Sequence, residues 1–243
     1  MTVLFRKERR TDRQPRQKAG VTDLVFILDK SGSMAGLESD SIGGFNAMIE
    51  THRKKPGACL ITTVLFDSEY QLLHDRTGLR DVKPMTDRDF TVGGCTALYD
   101  AVGLTIRKIR AARKQAALQG QTGQVMFVIM TDGLENASRR FTLQQVRTMI
   151  EHERAKHGWE FLFLGASFDA AETAETMGIR RDLAAEYLAD SQGMQVSFQA
   201  MSRTIESFRD TGVADTACMQ VIREDTRVRS GPQPGRKSRL KRH

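Results

Sequence analysis

Val21-Thr22-Asp23-Leu24-Val25-Phe26-Ile27-Leu28-Asp29-Lys30-Ser31-Gly32-Ser33 is the stretch on which the fold turns. Its first part, Val21 to Leu28, is an apolar run suited to a strand covered on both faces, as in a parallel sheet. Its second part places a carboxylate and two hydroxyls, Asp29, Ser31 and Ser33, on one tight loop at the strand's end. That is the oxygen chemistry a hard divalent cation takes. Two later segments carry matching oxygens: Thr96 in Gly93-Gly94-Cys95-Thr96-Ala97-Leu98, and Asp132 in Met130-Thr131-Asp132-Gly133. Three strand-end loops are therefore expected to converge on one ion.

Outward from that strand, strand-like and helix-like segments alternate, the pattern of an α/β domain with a largely parallel sheet. Ile42, Phe45 and Ile49 recur at helical spacing, so the first helix packs one face on the sheet. Cys59 to Phe66 and Tyr70 to Leu73 are separated only by Asp67-Ser68-Glu69, too short a link for a parallel crossover, which predicts an antiparallel hairpin. Asp75 to Val92 has little periodicity and reads as a connecting loop with at most one strand or helical turn. Leu98, Val102, Thr105 and Ile109 mark a second helix, and Val125 to Met130 a second buried strand. Thr142 before Leu143-Gln144-Gln145 is a capping-box pattern for a helix with Leu143, Val146 and Ile150 inward. A strand at Phe161 to Leu164, helices at Phe168 to Met177 and Phe198 to Phe208, and a short strand near Glu186 to Leu188 complete the pattern, with no internal repeat.

With 243 residues and 40% hydrophobic content, the chain can bury one sizeable core. One domain is expected over residues 21–222, its last part, 181–222, being a helical extension. The net charge of +7 is unevenly spread: residues 1–20 carry +5 and residues 223–243 carry +6, which leaves the body at −4. Both ends lack apolar periodicity and read as disordered basic tails, either solvated ends or arms for nucleic acid. No apolar run approaches the roughly 20 residues that span a bilayer, and Val3-Leu4-Phe5 is no secretory core. Three cysteines without a C-x-x-C pair argue against a disulfide framework, and a cytoplasmic location is expected. Cys59 reads as a small core hydrophobe.

The combined, ordered pattern of Asp29, Ser31, Ser33, Thr96 and Asp132 resembles that of a von Willebrand factor A domain with a metal-ion-dependent adhesion site, over roughly residues 20–180. The resemblance implies a Rossmann-like three-layer αβα sandwich with a mostly parallel central sheet and one antiparallel edge strand. It also implies a bound divalent ion, Mg²⁺ with Mn²⁺ or Ca²⁺ as alternatives, and a protein partner whose acidic residue completes the coordination. Each residue also has a plainer role: Asp29 as a strand-end cap, Ser31 and Ser33 as turn formers, Thr96 as the cap of the helix after it, Asp132-Gly133 as a turn. Gly93 and Gly94 would let the second loop approach the ion, Asp100 either orients Thr96 or its water shell or simply suits a helix's first turn, and Glu135 and Asn136 either shape partner choice or belong to a solvated loop.

Other constellations fail on spacing. His152 and His157 are five apart, instead of the four of a zinc-protease helix, and are expected on different faces. There is no P-loop and no Gly-x-Gly-x-x-Gly after the first strand, and no motif places His74 or another base beside Ser31 or Ser33. The expectation is a non-enzymatic, cation-dependent protein-binding module. The alternatives are an adaptor subunit of an AAA+ ATPase or kinase and phosphatase assembly, and nucleic-acid binding through the tails.

Overall fold

The computed structural model describes residues 20–166 and 169–231. Residues 1–19 and 232–243, most of the two expected basic tails, lie outside the described residues, as does Phe168, expected to open a helix. The apolar run becomes β1 (Val21–Asp29), buried from Thr22 to its end. It takes the central place in a six-stranded sheet of order β3-β2-β1-β4-β5-β6, built with β2 (Cys59–Phe66), β3 (Tyr70–Gly78), β4 (Gly123–Thr131), β5 (Glu160–Ala166) and β6 (Ala184–Tyr187). Every pairing is parallel except β2 with β3, the expected hairpin, which leaves β3 as the antiparallel edge.

Because side chains alternate along a strand, β1 divides the core in two. Leu24, Phe26 and Leu28 face α1 (Glu38–Arg53), α5 (Ser191–Thr211) and α6 (Ala217–Arg229) through Phe45, Met201, Ile205 and Met219. Val25 and Ile27 face α2 (Leu98–Leu118), α3 (Leu143–His157) and α4 (Ala170–Thr176) through Val102, Ile106, Val146 and Ala174. This is a three-layer αβα sandwich. The chain passes from β1 to β2 through α1 on one face and from β3 to β4 through α2 on the other. Strand order therefore reverses between β1 and β4, whose carboxyl ends flank the crevice where ligands of such sheets gather.

Several local expectations change. The strand expected over Tyr70–Leu73 runs on to Gly78, across a bulge at which Arg76 adopts a φ of 45° and reaches the buried Asp23 at 2.7 Å. A charge inside the sheet needs such a partner, and Arg113 adds a second at 3.4 Å. The segment after Gly78 is irregular but not merely a surface link, since Leu79, Val82, Met85 and Phe90 are buried in the α1 side of the core. The boundary set at residue 222 falls inside α6, so residues 223–229 are helical. Arg223 explains this: its guanidinium donates to the carbonyls of Arg181, Asp182 and Ala184, fastening the helix beside β6. His152 and His157, expected on different faces of α3, have ring centroids only 6.0 Å apart, His157 being the helix's last residue. Among the described residues no helix is long and apolar enough to cross a membrane.

Candidate metal centre

Parallel register brings the first two carboxyl ends together. Leu28 pairs with Met130, so the next residues, Asp29 and Thr131, lie side by side, and the Thr131 hydroxyl donates to Asp29 Oδ2 at 2.6 Å. Asp29 Oδ1 accepts the Ser31 N–H at 2.7 Å, which curls the chain after β1 and aims both serines back over the strand end. The Ser31 and Ser33 hydroxyls then stand 3.2 Å apart, and Thr96 donates its hydroxyl to Ser31 Oγ at 3.0 Å. Thr96 thus meets the first loop and does not cap α2.

The second loop reaches this point on backbone hydrogen bonds, from Gly93 N to Lys30 O at 3.0 Å and from Gly32 N to Gly94 O at 3.2 Å. Gly94 has a φ of 71°, a left-handed conformation that suits glycine, and a Cβ there would meet Ser68 Oγ at 3.0 Å. Lys30 donates to Asp67 Oδ2 at 2.6 Å and so ties the β2–β3 turn to the same place. The third loop closes in from above: a Cβ on Gly133 would lie 2.4 Å from Thr96 Oγ1 and 3.3 Å from Ser33 Oγ.

Asp29, Ser31, Thr96 and Asp132 are all buried, whereas Ser33 is exposed at the mouth. Burial pushes the Asp29 carboxyl above its ordinary range, opposed by its bonds from Ser31 and Thr131. The Tyr187 phenol, fully buried, with no hydrogen-bond partner for its hydroxyl, is likewise pushed up, by burial and then by the charges of Asp132 and Asp29. Two carboxylates held out of water favour a positive charge between them. Adjacent ligands on an octahedral ion with bonds of about 2.1 Å lie about 3.0 Å apart. The hydroxyl spacings of 3.0 and 3.2 Å are hydrogen-bond contacts that also lie near that edge length, and with two buried carboxylates the all-oxygen donor set suits a small hard cation.

Several residues around the site have roles other than those the sequence suggested. Ala97 offers α2 no side-chain cap, and the third loop supplies one instead: Glu135 Oε2 accepts the Tyr99 N–H at 2.9 Å and Ser138 Oγ the Asp100 N–H at 3.0 Å. Asp100 returns the favour by accepting the N–H groups of Arg139, Arg140 and Phe141. Asn136 Oδ1 accepts the Thr96 N–H at 2.9 Å. Glu135, Asn136 and Asp100 therefore hold the second and third loops together. Asp100, Glu135 and Asn136 stood out in the sequence by position and Thr131 by its place beside Asp132, whereas Ser138 carried no signal there.

No protein-family model and no curated protein matches the chain. Solved structures do. Proximal thread matrix protein 1 from the mussel byssus superposes with a TM-score of 0.54 at 15% identity, over 76% of this chain and 46% of that one. A von Willebrand factor type A protein from Catenulispora acidiphila gives 0.54 at 14% identity, over 76% and 43%. The vWF domain of the type V pili tip protein Mfa5 from Porphyromonas gingivalis gives 0.51 at 11% identity, over 77% and 96%.

The chain has the von Willebrand factor A fold.

It spans less than half the length of the first two of these proteins, so this domain accounts for only part of each. In this chain the three loops lie at the carboxyl ends of β1 and β4 and at the start of α2, as register and hydrogen bonds trace them.

Proposed function

We propose that this von Willebrand factor A domain is a non-enzymatic, divalent-cation-dependent protein-binding module in which Asp29, Ser31, Ser33, Thr96 and Asp132 hold Mg²⁺, with Mn²⁺ as the nearest substitute. The observation that supports the reading is the convergence of three hydroxyls, those of Ser33 and Thr96 lying 3.2 and 3.0 Å from that of Ser31, with two buried carboxylates on the same loops. A bound Mg²⁺ supplies positive charge and an open coordination position for a carboxylate of the partner. Asp29 is pinned at both oxygens and orients Ser31, while Ser31, Ser33 and Thr96 present neutral oxygens. A site with only two carboxylates leaves a dication able to take a third from outside. Exposed Cys95 and Leu134, on the second and third loops, form the rim that an acidic partner segment would touch.

The test is calorimetric titration of Mg²⁺ and Mn²⁺ into chelator-treated protein and its Asp132→Ala variant, with and without an acidic peptide. Saturable binding that weakens by at least about tenfold in the variant, at an unchanged melting temperature, is the expected result. Equal affinity in both proteins would overturn the assignment.

A further inference from the structure

At the opposite end of the sheet, where α3 runs into the start of β5, two histidines and a glutamate gather. His152 and His157 are exposed, and Glu153 between them is fully buried. A nitrogen of each ring and a carboxylate oxygen all lie within 4.8 Å of one another. Glu153 Oε1 accepts from Arg110 Nε at 2.6 Å, but its other oxygen, Oε2, is buried without a hydrogen-bond partner. That oxygen lies 3.9 Å from His157 Nε2. The gap is too long for a hydrogen bond, whose heavy atoms approach to about 3.2 Å or less. A tetrahedral zinc ion with bonds of about 2.0 to 2.2 Å to imidazole nitrogen and carboxylate oxygen holds adjacent ligands about 3.4 Å apart, so a small rotation of the exposed His157 ring brings Nε2 within that span.

We infer that His152, Glu153 and His157 form a second metal site, selective for Zn²⁺ and its first-row neighbours. Two of the three donors are imidazoles, which suit borderline transition metals and not Mg²⁺ or Ca²⁺. The ion takes the unpartnered oxygen of Glu153, which otherwise carries the cost of burial without a bond. The carbonyl end of α3 adds a favourable negative dipole. Arg110 opposes it, and because its guanidinium already pairs with Glu153 Oε1 the site is of moderate affinity. The exposed rings rotate to close the coordination, and water fills the outward position.

The experiment uses untagged full-length chain carrying Cys95→Ser and Asp132→Ala, so that neither the exposed thiol nor the three-loop site contributes. Zn²⁺ is titrated against a chromophoric chelator, and Co²⁺ binding is followed by quenching of Trp159, the sole tryptophan, whose ring centroid lies 6.4 Å from that of His157. One equivalent of Zn²⁺ is expected to bind, to resist excess Mg²⁺, and to weaken by more than about tenfold on His152→Ala or His157→Ala, both at exposed positions where the melting temperature should hold. Absence of Zn²⁺ uptake, or uptake and quenching unchanged in the double His152→Ala, His157→Ala protein, would overturn the site. Since Asp132 is already replaced, neither result bears on the cation proposed for the three loops.

Discussion

Gly133 lacks a side chain at the point where three loops come closest. A methyl group there would stand 2.4 Å from Thr96 Oγ1 and 3.3 Å from Ser33 Oγ, and neither short side chain can swing clear without giving up the hydroxyl cluster. Gly133→Ala should therefore lower Mn²⁺ affinity by at least tenfold, about 1.4 kcal/mol, with little change in melting temperature. Calorimetry beside a thermal melt separates the two effects; undiminished affinity would mean that the hydroxyls do not bind the ion. Thr131 shows a different kind of dependence, since its hydroxyl bonds Asp29 Oδ2 at 2.6 Å and also accepts the Gly133 N–H at 3.3 Å. It acts by holding a buried carboxylate in one orientation.

Helices α1 and α5 meet through a contact of the same sort. A Cβ on Gly44 would lie 2.2 Å from the Phe198 ring, so α5 packs against bare backbone of α1. Gly44→Ala should cost about 1 to 3 kcal/mol in urea unfolding, the range for overpacking a core. Combined with Phe198→Leu, it should cost less than the two single changes together, because the smaller side chain makes room. Simple additivity would show that the helices adjust freely. The same pairing matters for β1, because α1 and α5 cover the face that carries Leu24, Phe26 and Leu28. Helix α2 is held differently, by Glu135 and Ser138 of a distant loop, so its start and the third loop form one unit.

At the scale of the molecule, stability should depend on pH through His52 in α1. It is 1% exposed, and burial, with the nearby charges of Arg209 and Lys55, pushes its pKa down to about 4, against an opposing pull from Glu206. Arg209 donates towards Nδ1 at 3.3 Å, which leaves Nε2 to carry the proton shared with Ser202 Oγ at 3.1 Å. A histidine kept neutral in the folded state supports the fold fully above its ordinary value of 6.5 and progressively less as pH falls toward 4. The loss across that window is about 3 kcal/mol. Urea unfolding at pH 7 and pH 4.5 should show a smaller acid loss for His52→Gln than for the natural chain. Equal losses would assign the acid sensitivity to other groups.

What the sequence alone determined was whatever is local and repeats. The strand at Val21 to Leu28, the hairpin after Phe66, the capping box at Thr142 and the inward faces of the helices all follow from periodicity or from short links. Asp29, Ser31, Ser33 and Asp132 stood out for a related reason, as oxygen-bearing side chains just past strands, whereas Thr96, expected at a strand end too, stands at the start of α2 after a long irregular segment. Tertiary structure decided what depends on which backbone lies beside which. Arg223 and its neighbours read as part of a basic tail until β6 supplied carbonyls for the guanidinium to bond. Asp100 and Glu135 read as a helix-start acid and a loop acid until α2 and the third loop met and each satisfied the other's N–H groups. His152 and His157 came together around a buried Glu153 although their spacing argued against it. In each case the deciding partner is distant in the chain or at a helix end, where the regular period no longer tells where a side chain goes.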